Sequence, residues 1–139
     1  MAGLVLAVAL GGCAVAGPTG QERADELAKQ LETGEFGVRS ADAVYLSSFS
    51  GDLSVSVVME ADAVQPGYAV PAETLAPILG TVARSAEEMG VPAVVFYAEE
   101  EGGIDVSMVA AARELGISEA VDGNSLHLTG KRLETVADQ

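Results

Sequence analysis

Two extended runs separated by a single tight connection constrain this chain most. Residues 43–49 (AVYLSSF) and 53–60 (LSVSVVME) are rich in β-branched and aromatic residues, and Ser50-Gly51-Asp52 lies between them. A short, glycine-bearing connection between two such runs reads as an antiparallel hairpin, so the chain is committed to a sheet early. In the second run Leu53, Val55, Val57 and Met59 alternate with Ser54, Ser56, Val58 and Glu60. Side chains in a strand alternate between faces, which sends the odd-numbered set to the core. In the first run the core positions are assigned to Val44, Leu46 and Phe49. The alternation slips at Ser47-Ser48, where a bulge would absorb the extra residue.

Helical periodicity and breakers place the remaining elements. Residues 22–32 (ERADELAKQLE) predict a short surface helix, with Leu27 and Leu31 one turn apart and Gly34 as its stop. Residues 61–70 form a loop marked by Pro66-Gly67. Residues 71–89 predict the longest helix, with Leu75, Ile78, Leu79, Val82, Ala86 and Met89 on one stripe and Gly90 as its stop. Pro77 inside it removes a hydrogen bond at a cost of about 3 kcal/mol, which predicts a kink or a separate first turn. Residues 91–98 (VPAVVFYA) are apolar almost throughout and predict a central strand covered on both faces, followed by a solvated turn at Glu99-Glu100-Glu101-Gly102-Gly103. Asp105 is placed to cap a second helix, with Ile104 and Val109 as a hydrophobic staple and Val106, Val109, Ala110 and the stem of Arg113 as its packed face. Leu115-Gly116-Ile117 ends it, Asp122-Gly123-Asn124 turns, residues 125–129 (SLHLT) form a last strand, and residues 131–139 add a terminal helix. The order α-β-β-α-β-α-β gives an α+β, two-layer sandwich with one mixed four-stranded sheet. In it a hairpin precedes two β-α-β steps, each a right-handed crossover.

Composition narrows the function classes. The chain carries 21 acidic against 7 basic residues, a net charge of −14. A field of that sign repels nucleic acid and anionic lipid, which argues against a DNA- or RNA-binding role. It favours cationic partners or divalent ions, and it also keeps a protein soluble. Cys13 is the only cysteine and His127 the only histidine, so an internal disulfide and a zinc site of the usual kind are both excluded.

None of the charge falls in residues 1–20, MAGLVLAVALGGCAVAGPTG. An apolar stretch of roughly 7–15 residues followed by small ones is the pattern of a secretory signal. The strongly apolar part is short for a membrane span, and Gly11, Gly12, Gly17 and Pro18 break it. The ending Leu10-Gly11-Gly12-Cys13 resembles the lipobox of bacterial lipoproteins, although no Lys or Arg precedes the apolar core. The resemblance covers residues 2–13. It implies cleavage before Cys13, a diacylglycerol thioether on its thiol, and acylation (palmitate among the acyl groups) of the new amino group. Two or three acyl chains hold a small protein firmly on a membrane, where one does not. The expected organisation is a signal peptide at 1–12, a lipidated Cys13 and flexible tether at 13–21, and one α+β domain at 22–139. The expected location is the extracytoplasmic side of the cell membrane.

No downstream motif adds a chemistry. His127, between Leu126 and Leu128, faces away from those leucines and has no serine motif to serve. Glu99, Glu100 and Glu101 follow a strand end but match no calcium loop. Asp42, Asp52, Glu60 and Asp62 bracket the hairpin without a spacing that selects an acid/base pair. Gly102-Gly103 lacks a phosphate-loop pattern. Tyr45, Phe49, Tyr68, Phe96 and Tyr97 are too few for a sugar platform, with Phe96 assigned to the core and Tyr97 to the surface. The expectation is a small non-enzymatic binding or accessory domain with no catalytic, cofactor or metal set, meeting a membrane through Cys13 and an envelope protein through its fold. Two alternatives stand beside it. One is an anchored hydrolase or Ca2+-binding protein using dispersed carboxylates. The other is an inhibitor or regulator, which would show an exposed apolar patch or a bare sheet edge.

Overall fold

The computed structural model describes residues 19–46 and 52–138. Cys13, the lipobox-like segment, Ser47-Ser48, Phe49 and Ser50-Gly51 lie outside the described residues. In chain order the elements are α1 (Gly20–Thr33), β1 (Val38–Leu46), β2 (Asp52–Met59), α2 (Ala72–Met89), β3 (Ala93–Glu100), α3 (Val109–Glu114), β4 (Val121–Asp122), β5 (Ser125–Thr129) and α4 (Lys131–Ala137).

The fold is α+β with one mixed sheet, in the order β1-β2-β3-β5-β4. The sheet has five strands rather than four, because Val121 and Asp122 pair with Leu126 and Ser125. Only β2 and β3 are parallel, and β3 and β5 are antiparallel. The second expected β-α-β step is therefore absent. After α3 the chain makes the short strand β4, and the turn through Gly123 (φ 63°) reverses it into β5.

The core occupies one face of the sheet. Leu53, Val55, Val57 and Met59 of β2 are buried, as their alternation requires. Val94, Phe96 and Ala98 of β3 and Leu126 and Leu128 of β5 join them. Leu27 and Leu31 of α1 and Leu75, Ile78, Leu79, Val82 and Ala86 of α2 close over that face, with Val136 of α4 beside them. Met89 is only half-buried at the end of the α2 stripe.

Five local expectations are corrected. Helix α1 starts at Gly20, two residues inside the expected tether, because Thr19 and Glu22 form a capping box. The Glu22 N–H donates to Thr19 Oγ1 (3.1 Å) and the Thr19 N–H donates to Glu22 Oε1 (2.7 Å). Of the two outcomes expected at Pro77, a kink or a separate first turn, the separate first turn does not form, since α2 is one helix from a cap at Pro71. Pro77 stands exposed in its second turn. Asp105 is not a helix cap. Its neighbours Val106 and Met108 are buried in an extended segment that pairs at Glu99 and Ala69, so α3 begins only at Val109. The expected staple is lost with it, since Ile104 and Val109 are both exposed, and the packed residues of α3 are Ala111 and Ala112. Strand β3 is central but covered on one side only, with a burial pattern that alternates along it.

The fifth correction concerns β1. Val44 and Leu46 were assigned to the core and lie on the opposite face. Ala43 pairs with Val55 and Val44 with Ser54, so Val44 shares the serine side of β2. Ala43 is buried in its place, and Ala41 and Tyr45 pack against the core. The irregularity in this strand is at Arg39, between Val38 and Ser40.

Strand β1 is an edge, and its outer backbone groups are occupied by side chains of α1. Gln21 does this in both directions: the Tyr45 N–H donates to its Oε1 (2.9 Å), and its Nε2 donates to Ala43 O (3.0 Å). The Ala41 N–H donates to Glu32 Oε2 (2.9 Å). An edge strand left with unpaired groups templates the addition of another strand, and these bonds block that route. Gln21→Ala removes two of them at once. It should cost roughly 1–2 kcal/mol, read as a lower urea midpoint with an unchanged slope.

Candidate functional site

The face of the sheet opposite the core is the candidate site, since no described helix lies over it. Its outward side chains fall in rows set by the strand register. Val44, Ser54, Val95 and His127 form one row, and Asp42, Ser56 and Tyr97 the next, which ends at the buried Ser125. Val58 stands between Ser40 and Glu99 in a third. Apolar surface is unusually plentiful here: Val44 is 39 % exposed, Leu46 46 % and Tyr97 40 %. These apolar side chains are interleaved with Ser54 and Ser56 of β2, which gives a mixed apolar and hydroxyl surface of the kind that contacts other molecules.

The rim is acidic. Asp42 and Glu99 are exposed at outward strand positions, and Asp105 and Asp122 are exposed beside them. Arg39 is the only Lys or Arg on any described strand, and Glu101 Oε1 pairs with it at 3.5 Å. The other basic residues sit elsewhere. Arg23 and Lys29 line the groove between α1 and α2, Arg113 is on α3, and Lys131 and Arg132 are on α4. The Arg84 Nη1 donates to Ala137 O (3.1 Å). At the C-terminal ends of the parallel strands the face dips into a concavity of about 460 Å3 lined by Ser56, Val58, Tyr97, Glu99, Asp105 and Asn124. Its shape is held by a side-chain bond from Asn124 Nδ2 to Asp105 Oδ2 (2.7 Å).

The remaining candidates are placed as follows. His127 stands on the open face, with its Nε2 3.4 Å from Asp122 Oδ2. The nearby Ser125 hydroxyl donates to Asp122 O (2.9 Å), which ties it to the backbone rather than to the imidazole. Glu100 Oε1 accepts the Gly102 N–H (2.7 Å), and Glu101 Oε2 accepts the Ala61 N–H (2.9 Å). Glu100 thus braces its own loop, Glu101 reaches across to the turn after β2, and of the three only Glu99 lines the concavity. Asp42 and Asp62 do not reach it. Among the described residues no three of His, Cys, Asp and Glu gather to hold a metal ion. Phe96 is in the core, as expected, and Tyr68 is exposed away from the strands at φ 59°.

Comparison with protein-family models, with characterised proteins and with solved structures finds no match to this chain. Among the described residues no helix is long and apolar enough to cross a membrane.

The two faces should respond differently to mutation. Val44→Ser on the open face should change stability by less than about 0.5 kcal/mol. Leu53→Ala, one strand away on the core face, should cost roughly 2–5 kcal/mol. Urea denaturation of both variants checks the assignment of the faces.

Proposed function

We propose that this chain is a lipid-anchored lipoprotein on the extracytoplasmic side of the cell membrane, whose folded part is a non-enzymatic binding or accessory domain. The observation that carries the reading is Leu10-Gly11-Gly12-Cys13 at the end of an uncharged apolar run. Supporting it, helix α1 opens from a cap at Thr19, a short distance in sequence after Cys13. From Cys13 to Thr19 an extended chain reaches at most about 20 Å. Helix α1 starts beside Tyr45, at the end of the sheet where Leu46, Asp52, Ala93 and Thr129 meet in register. An anchor at Cys13 therefore keeps that end nearest the bilayer and turns the concavity by Glu99 outward. The domain offers a face for contact rather than a convergent set of reacting groups, which favours binding over catalysis.

Intact mass of the protein from its native membrane fraction tests the anchor. The expected mass is residues 13–139 plus two or three acyl chains, and an unprocessed chain in the soluble fraction overturns the reading. Cys13→Ser should release the protein or leave it as an unlipidated precursor.

The competing reading, a hydrolase or Ca2+-binding protein working through dispersed carboxylates, has one observation on its side: Glu99 and Asp105 line the same concavity. Two carboxylates provide fewer oxygens than the six to eight that Ca2+ takes. Millimolar Ca2+ should leave the melting temperature unchanged. A rise that Glu99→Gln abolishes would favour the competing reading.

A further inference from the structure

We propose that the open sheet face docks an amphipathic helix of a partner protein whose apolar stripe is flanked by Lys and Arg. The inference deepens the reading of this domain as a binding module, and it is independent of the lipid anchor.

Three features select that occupant. The first is the state of the sheet edges. Gln21 and Glu32 occupy the outer groups of β1, and the opposite edge, β4, is only 2 residues long. Side chains already hold three outer groups of β1 and β4 is short, both of which disfavour strand addition, so the contact is made through the face. The second is shape. Sheet faces are buried by helices, as α1 and α2 bury the other side of this one. Helix packing on β1–β3 would bring apolar residues against Val44, Val95, Tyr97 and Val58. A helix about 10 Å across spans roughly two strand spacings of about 4.8 Å, a width the patch supplies.

The third is charge. The rim displays Asp42, Glu99, Asp105 and Asp122, and the only strand cation, Arg39, is taken up by Glu101. Two copies of this chain placed face to face would set these carboxylates against one another, so the partner is not a second copy. An anionic lipid surface is repelled by the same field. A basic flank fits: a Lys or Arg entering the concavity meets the Glu99 and Asp105 carboxylates and the ring of Tyr97, an arrangement that combines ion pairing with a cation–π contact.

The test uses the full chain carrying Cys13→Ser, isotopically labelled for NMR. The probe is a synthetic Leu/Lys amphipathic helix of about 18 residues, long enough to be helical alone. Two control peptides replace Lys with Glu or Leu with Ser. The expected result is binding of the Leu/Lys peptide with shift changes centred on Val44, Ser54, Val95 and Tyr97, and no binding of either control. Tyr97→Ser and Val44→Ser should each weaken it about tenfold. Glu99→Lys should weaken it and flatten its salt dependence. Glu26→Lys and Glu88→Lys, in the groove of the helical layer, should leave it unchanged.

Shift changes confined to the helical layer, equal binding of the Lys/Ser peptide, or no binding at all overturn the proposal. So does a concentration-dependent dimer that Val44→Ser dissolves, which would make the face a self-association surface. Binding of the unlipidated chain to phosphatidylglycerol vesicles through Val44 and Tyr97 would likewise replace the helix with a bilayer. None of these outcomes bears on the acyl groups at Cys13, and loss of the anchor in the mass measurement leaves the face untouched.

Discussion

The parallel pairing of β2 with β3 is the constraint on which the rest depends. Parallel strands cannot be joined by a tight turn, so the chain must leave the sheet, cross it and return. Helix α2 makes that crossing, and its stripe of Leu75, Ile78, Leu79 and Val82 is what the core face of β2 and β3 is buried against. Every other strand attaches to this pair in the antiparallel sense: β1 outside β2, β5 outside β3, and β4 outside β5. Because the central strands run together, their starts share one end of the sheet and their ends the other. The entry of α1 and the concavity at Glu99 are thereby held at opposite ends of the domain.

One-sided cover follows from how the helices are distributed. Among the described residues the two long helices are α1 and α2, and both pack on the Leu53–Phe96–Leu126 side. What is left over is a face on which Val44, Val58, Val95 and Tyr97 are interleaved with Ser54 and Ser56, with carboxylates at its margin. A net charge of −14 can keep such a face in water, so apolar surface and solubility are compatible here. The same distribution explains the limited chemistry of the site. Carboxylates spread along strand margins brace loops or meet solvent, and His127 has Asp122 beside it but no free hydroxyl in line.

Much of this fold was legible from period and punctuation. The odd positions of β2, the stripe of α2, the limits of β5 and the left-handed stop at Gly116 (φ 76°) stand where alternation, helical spacing and glycine placed them. Two of the errors share a cause, which is apolar residues that do not enter the core. Val44 and Leu46 looked like core because they are large, yet Ser40 and Asp42 already put the even positions of β1 on the polar side. Extending that alternation would have found the exposed pair. Strand β3 looked covered on both faces because its run is apolar almost throughout, and no sequence period separates a buried valine from the half-buried Val95. Asp105 looked like a cap because local signals ignore the long-range pairing of its segment with Glu99 and Ala69. The edge role of Gln21 had no local signal at all, since its partners lie more than twenty residues away.

The occupied edges carry a consequence for crowding. Proteins confined to a surface meet their neighbours at far higher local density than the same number in bulk, and a sheet that can grow sideways would then polymerise into ladders. Here lateral growth is opposed on one side by Gln21, which mimics a neighbouring strand by donating and accepting with one amide, and by the Glu32 carboxylate beside it. On the other side it is stopped by a strand too short to seed another. What the fold leaves open is the broad face, a surface defined by side-chain shape and charge and not by the sequence-blind backbone.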